Sequence, residues 1–252
     1  MTLDMESQFG EQERRLLYES LNLTAHLSND VQRHLKEGLS RRVLLIQANR
    51  LAIRQLADSQ RKDALSTYEC GDLNIHLNSF YVQMRGALDN LAWALHYQYQ
   101  LLGAVNEDDF QTRARCQLLQ PKFLTALQKH EPRLAHDLSA HLSWAADFRL
   151  LRDPVAHRIP LYAVPGVAGP EEKAQIDLKY EEAAAAVKAG DFGASISAIG
   201  EAHEIGRYYP VFAMSGPKGI EVRQIHPQVS RDQTSFLSVS QCVVSALVTI
   251  AA

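Results

Sequence analysis

Apolar residues recur three and four positions apart through the first two thirds of the chain, which is the spacing of α-helices and not of strands. The clearest stripe runs from Leu77 to Leu95 and predicts a central helix. A preceding helix is predicted from about Arg41 to Ser59, and its apolar face is expected to consist of Leu44, Leu45, Ala48, Leu51, Ala52 and Leu56. Two long neighbouring helices indicate a helical bundle.

Shorter helical elements follow the central helix. Pro121 divides two of them, predicted over residues 110–119 and 122–129, and a third is predicted over residues 133–151. Asp153 and Pro154 are expected to interrupt this third helix, because proline has no amide hydrogen and aspartate is a favoured residue at the start of a new helix.

The last third of the chain differs from the first two. Prolines and glycines punctuate residues 160–170 densely enough to predict a loop. After it we expect a helix over 171–188, a small β-hairpin over 208–225 and a closing helix over 234–252. The predicted fold class is therefore mainly α. The predicted organisation is a helical bundle over residues 1–163 with a C-terminal extension over 164–252, packed on the bundle as one globular unit.

Charge restricts the nucleic-acid-binding classes that the chain can belong to. The net charge is −3 and the sequence pI is near 6.4, which argues against a protein that coats nucleic acid through bulk electrostatics. Between Arg33 and Lys62, however, eight Lys or Arg residues stand against two acids. This local basic patch could contact RNA backbone, or it could be an ordinary solvated helix face.

Cysteine usage and the apolar segments bear on cofactors and location. Cys70, Cys116 and Cys242 form no CxxC pair, so neither a disulfide framework nor a metal site is predicted, and no cofactor is expected. The start of the chain has no signal-peptide pattern. The apolar tail from Phe236 onward is interrupted by serines and a glutamine and predicts a buried helix, so we expect a cytoplasmic protein without membrane association.

The segment from Arg152 to Arg158 carries the residue types of phosphate chemistry. A guanidinium such as that of Arg152 can bind two phosphate oxygens, and an imidazole such as that of His157 can exchange a proton with a ribose hydroxyl. Arg149 and Arg158 flank this pair and are candidates to bind substrate. No metal is required for such a reaction.

Five helical steps leave Arg152 and His157 about 140° apart around a helix, so an unbroken helix would not point both at one phosphate. Two arrangements could bring them together. A new helix beginning at Asp153 and Pro154 could redirect His157, or a two-fold axis beside the segment could combine residues of two chains.

Arg152 followed after four intervening positions by His157 resembles the RxxxxH signature of HEPN domains, which are helical bundles. Its context is also similar, because the motif follows a helix ending in residues 148–151 and an earlier helix carries the sequence of residues 85–93. The resemblance covers roughly residues 41–161. Residues 152–162 and 226–228 also look like segments of uncharacterised bacterial HEPN-like proteins with a similar C-terminal extension.

The resemblance implies a metal-independent endoribonuclease, of toxin or antiviral defence type, that acts as a homodimer with two motifs flanking one cleft. Arg152 would hold the scissile phosphate and His157 would be the general base or acid. Asp153 occupies the family's polar position after the arginine. A cognate inhibitor protein is a partner that the resemblance allows.

Two other functions fit the same sequence. A non-catalytic helical binding or scaffold protein would have the same near-neutral charge and would bury His157 as a structural residue. Alternatively, the extension from Gly166 onward could bind a small ligand or a partner, although no residue pattern names one.

Overall fold

The computed structural model describes residues 3–23, 27–103, 109–157, 159–216 and 219–251, and the side chains of residues 3, 154–157, 250 and 251 lie outside this description. The fold is mainly helical with a small antiparallel sheet and a final C-terminal helix, as predicted. The helices are α1 (Leu3–Asn22), α2 (Asn29–Arg33), α3 (Ser40–Leu56), α4 (Thr67–Tyr99), α5 (Phe110–Arg115), α6 (Pro121–Leu127), α7 (Pro132–Ser139), α8 (Leu142–His157), α9 (Pro170–Lys188), α10 (Phe192–Glu204) and α11 (Ile225–Ala251), and the strands are β1 (Tyr162–Ala163), β2 (Val211–Gly216) and β3 (Gly219–Gln224).

Helix α4 is the central element, and its predicted apolar stripe is buried. A capping box starts it: the Ser66 hydroxyl accepts the amide hydrogen of Glu69, and the Glu69 carboxylate accepts that of Ser66. The Arg61 guanidinium pairs with the same carboxylate at 2.6 Å. Helices α3, α8 and α11 pack around α4.

The predicted apolar face of α3 is wrong. Leu44, Leu45 and Leu51 are each about half exposed, at 53%, 47% and 48%. The buried side of the helix consists instead of Ser40, Val43, Ile46, Asn49, Arg50 and Ile53. The expectation failed because Arg50 and Asn49 are polar residues whose charges and hydrogen bonds are satisfied inside the protein, so they occupy core positions that the pattern assigned to leucines.

Arg50 is the centre of a buried ion cluster. Its Nε and Nη2 donate to the two carboxylate oxygens of Glu13 at 3.3 and 3.0 Å, and its Nη1 donates to Glu6. Gln233 of α11 donates to the same Glu13 carboxylate at 2.8 Å. The cluster therefore joins α1, α3 and α11, and Arg50 is withdrawn from the basic patch.

The predicted hairpin is confirmed. Strands β2 and β3 pair from Val211 with Gln224 to Gly216 with Gly219. A short strand that the sequence did not indicate, β1, pairs with β2 on its other side. Helix α9 also forms nearly as predicted, whereas α11 begins at Ile225 and not at Thr234.

Helix α11 packs against α1, α4, α7 and α8. Its Asp232 is fully buried and accepts hydrogen bonds from Tyr81 at 2.9 Å, from Trp144 at 3.0 Å and from Gln228 at 2.7 Å. Burial raises the pKa of this carboxyl group, although the three donors and Arg231 oppose the rise. Among the described helices, none has both the length and the apolar character needed to cross a membrane.

Candidate functional site

Helix α8 carries the predicted site and is anchored by one buried edge. Trp144, Phe148 and Leu151 lie in the core, three or four positions apart. The Phe148 ring packs against Trp144 at 5.2 Å between centroids and against Tyr81 at 6.0 Å. These contacts fix the rotation of α8 about its axis, and hence the direction in which its arginines project.

Beside this edge, α8 lines a small pocket that is partly open to solvent. Ala145, Phe148, Arg149 and Arg152 of α8 form one wall, at the spacing of a single helix face. Helix α4 supplies a second wall through Arg85 and Leu88, and residues 117–120 between α5 and α6 close the third side. Two predicted site residues, Arg149 and Arg152, thus share one pocket with a third arginine.

The pocket holds three guanidinium groups and few counter-charges. Arg152 pairs with its neighbour Asp153 at 2.8 Å, and Arg85 pairs with Asp89 at 2.9 Å. Arg149 is exposed and has no carboxylate within ion-pairing distance among the described residues. Burial lowers the pKa of Arg152, and the like charges of Arg85 and Arg149 lower it further. An anion entering the pocket would relieve this repulsion.

Asp89 connects the pocket to the α3 side of α4. Burial raises the pKa of its carboxyl group, and the charges of Arg85, Arg152 and Arg42 oppose that rise. Arg42 donates to Gln83 at 2.7 Å and lies against Gly86, where a Cβ atom would collide with its guanidinium group. Gly86 is therefore needed for a fourth arginine to approach the same carboxylate.

Arg42, Gln83 and Asp89 form a row of polar contacts along α4. A π-helical segment, His34–Leu39, continues this polar row. His34 and Asn90 lie 3.0 Å apart through Nδ1 and Oδ1, and Asn90 also donates to the Gly86 carbonyl at 2.6 Å. Gly38 leaves the room that the Asn90 side chain fills. The sequence did not predict this polar row. Its only sequence signal is two glycines, Gly38 and Gly86, each at a point where α4 contacts a neighbouring helix. Wide turns of this kind are rare and concentrate at functional sites.

The expected break at Asp153 and Pro154 is wrong. Helix α8 continues through both residues to His157, and Asp153 pairs with Arg152 and does not cap a new helix. Proline removes only the amide hydrogen that the Leu150 carbonyl would accept, and the packing of Phe148 and Leu151 holds the helix up to this point. The redirection of His157 by a new helix is thereby excluded.

The side chain of His157 and the whole of Arg158 lie outside the described residues. The backbone of His157 belongs to α8, about 7.5 Å along the helix axis from Arg152 and about 140° around it. Within one chain, the backbone positions of these two residues thus lie on different sides of the helix.

Two asparagines of α4 fix the chain just after α8. Asn78 donates to the Leu161 carbonyl and accepts its amide hydrogen, both at 2.9 Å. Asn74 accepts the amide hydrogen of Ala163 at 2.6 Å. The end of α8 is therefore held on the same helix that carries Arg85, which sets the position of the site.

No group of three or more His, Cys, Asp or Glu side chains within the described residues could hold a metal ion. The site is thus a cluster of arginines, of which the sequence pointed to Arg149 and Arg152 and left Arg85 as part of a helix face. No family model, no curated protein and no solved structure matches the chain. A function is therefore inferred from the chemistry of the pocket itself.

Proposed function

We propose that the chain is a HEPN-like, metal-independent endoribonuclease that acts as a homodimer, in a toxin or defence role. The observation that supports this most is the pocket in which Arg152, Arg149 and Arg85 converge. Guanidinium groups bind phosphate oxygens through paired hydrogen bonds, and a partly buried cluster binds them more strongly than an exposed one.

The proposed reaction is internal transesterification of RNA. The ribose 2′-oxygen attacks the adjacent phosphorus, the bond from phosphorus to the 5′-oxygen breaks, and the products carry a 2′,3′-cyclic phosphate and a 5′-hydroxyl group. Arg152 binds the non-bridging oxygens, where negative charge increases in the transition state. His157 takes the proton from the 2′-hydroxyl or gives one to the leaving 5′-oxygen.

A second subunit supplies the geometry that one chain lacks. Because α8 is unbroken, the backbone positions of Arg152 and His157 lie about 140° apart around the helix. A two-fold axis close to α8 would place His157 of one subunit beside the arginine pocket of the other. The proposal therefore requires a dimer for cleavage, and a monomer should bind phosphate without cutting RNA.

The test is incubation of the purified chain with RNA in the presence of EDTA. We expect cuts that end in cyclic phosphate. The His157→Ala variant should lose about 10²- to 10⁴-fold of the rate, which is the usual contribution of a general acid or base. Arg152→Ala should lose about 10²-fold or more, as is usual when a transition-state donor is removed.

Two matched variants control for unspecific effects. His136→Ala and Arg14→Ala remove the same kinds of side chain from exposed positions on α7 and α1, and both should cleave like the wild type. The catalytic proposal fails if the wild type and His157→Ala give the same background of cuts while both remain folded by circular dichroism.

A non-catalytic binding protein is the second candidate. The observation that favours it is the ion pair between Arg152 and Asp153, because this arginine already has a partner within its own chain. In that case RNA should bind without being cut, or not bind at all, and Arg152→Ala should change only affinity.

A further inference from the structure

Helix α3 exposes an apolar stripe that nothing in the described part of the chain covers. Leu44, Ala48 and Leu51 lie on its outward side at spacings of four and three, and Leu45 borders them. The opposite side of α3 packs on α4. Three half-exposed leucines on one helix form an apolar patch of the kind that marks protein–protein contacts.

Positive charge surrounds this stripe. Eight basic residues against two acidic ones lie between Arg33 and Lys62; Arg50 is buried and neutralised, and Arg61 pairs with Glu69. Arg41 is exposed beside Leu44 and Leu45, and Arg54 stands one turn beyond Leu51. We call this surface, over residues 41–55, the α3 face.

Helices α9 and α10 form an arm that packs mainly on itself. Ala183 of α9 and Ser195, Ala198 and Ala202 of α10 are the buried residues between the two helices. At its base the arm is held to α4, where the Thr67 hydroxyl and the His203 Nδ1 atom lie 3.2 Å apart. A two-helix arm with so small a core leaves most of its surface free for another contact.

The exposed surface of the arm is both apolar and acidic. Phe192 and Ile196 are four positions apart on α10 and are 66% and 70% exposed, and Leu178 on α9 is 56% exposed. Between Pro170 and Glu204 there are eight acidic residues and three basic ones. Two of these bases, Lys173 and Lys179, already pair with acids of the arm itself, so the free charge is negative.

The two surfaces complement each other in charge, apolar content and length. Helix α3 has 17 residues and α9 has 19, which correspond to about 25 and 28 Å. We propose that the arm of one copy docks on the α3 face of a second copy, and that the reciprocal contact closes a two-fold, arm-exchanged dimer. A second copy is the indicated occupant because both halves of the complementary pair are carried by this chain.

None of these residues lies in the arginine pocket, but the inference rests on the homodimer of the proposed function and describes how its two chains hold together. A wild type that dimerises through other residues would overturn this contact and leave the cleavage proposal standing. The test of the contact is sedimentation velocity on the full chain over a range of concentrations. The wild type should dimerise. Leu44→Glu/Leu51→Glu and Phe192→Glu/Ile196→Glu should each weaken self-association by about 30-fold or more, because each places charges at the centre of an apolar contact.

Mixing the two double variants gives the sharpest result. In an arm-exchanged dimer, the intact arm of the α3-face variant fits the intact α3 face of the arm variant. The mixture should therefore contain a heterodimer with one of the two contacts, although neither variant associates alone. A dimer built from two α3 faces would behave otherwise, since the arm variant would dimerise by itself.

Ile220→Glu is the matched control, because Ile220 is 80% exposed on β3 and belongs to neither surface. It should dimerise like the wild type. All variants change exposed positions, so their circular dichroism spectra and melting temperatures should be unchanged. A monomeric wild type, a dimeric arm variant, or a mixture without heterodimer would each overturn the proposal.

Discussion

Replacement of Arg50 by methionine would remove the only cation of the buried cluster within the described core. The guanidinium group of Arg50 is 1% exposed, donates to both oxygens of Glu13 and to Glu6, and lies over the Phe9 ring at 5.2 Å. Methionine matches much of the side chain's volume but donates nothing. Two carboxylates would then remain in the core without their counter-charge.

We expect Arg50→Met to lower the free energy of unfolding by about 3–5 kcal/mol, which is the usual cost of removing one partner from a buried ion pair. Among the described residues, the Glu6 oxygen Oε1 has no hydrogen-bond partner even with Arg50 present. Gln233 would still donate to Glu13. Because whole domains are stable by only about 5–15 kcal/mol, the loss is easy to measure.

Urea unfolding at several pH values tests the cause as well as the size. Burial already raises the pKa of Glu13, and Arg50 opposes that rise. Without Arg50 the folded-state pKa moves further above the unfolded value of about 4.3. The folded variant then holds its proton more tightly than the unfolded chain, so its stability increases as the pH falls toward 4.3. The gap to the wild type should narrow accordingly.

Two further variants test whether the loss of stability comes from the buried ion cluster. Arg54→Met changes an arginine one turn along the same helix that is not buried, and should cost less than about 0.5 kcal/mol. Arg50→Met/Glu13→Gln should regain part of the loss, because one of the buried charges is gone. A cost below 1 kcal/mol for Arg50→Met, or a cost that does not change between neutral and acid pH, would refute the assignment of a buried ion cluster.

Two other predictions concern helix α4. Asn78→Ala should lower the free energy of unfolding by about 1–3 kcal/mol, because the amide and carbonyl groups of Leu161 both lose their partner. Thermal or urea unfolding measures this loss. An unchanged midpoint would contradict the role of Asn78 in holding the chain after α8. The hydrogen bond from Arg61 lowers the pKa of Glu69 to about 2, so Glu69 stabilises the fold fully above its unfolded pKa of about 4.3 and loses this effect as the pH falls toward 2. Glu69→Gln should therefore flatten the acid side of the stability curve, whereas the exposed Asp72→Asn should leave it steep.

The fold could be predicted where apolar residues mark the buried side of an element. The stripe of α4 and the hairpin of β2 and β3 are such cases, since their pattern and turn residues agree with their environment. Helix α3 is the opposite case. Arg50 and Asn49 are stable in the core because Glu13, Glu6 and Ser79, which lie on other helices, accept their hydrogen bonds. No local pattern contains that information.

Part of the site could be predicted, because the spacing along the chain determines which residues share a helix face. Arg149 and Arg152 share a helix face by their spacing alone, and the structure places both in one pocket. Arg85 joins them through the packing of α8 on α4, which depends on Phe148 and Tyr81. The break at Pro154 was predicted from the cost of proline in a helix, but buried contacts of the preceding turn outweigh that cost.

The bond between Glu13 and Gln233 has a consequence for the order of events during synthesis. The two residues are 220 positions apart. At a ribosomal rate of about 5–20 residues per second, Glu13 of α1 waits roughly 11 to 44 seconds for Gln233 of α11. Until then the nascent bundle lacks the helix on which α8 also packs. Because α11 packs on α8, the arginine pocket reaches its final packing only after α11 has been synthesised.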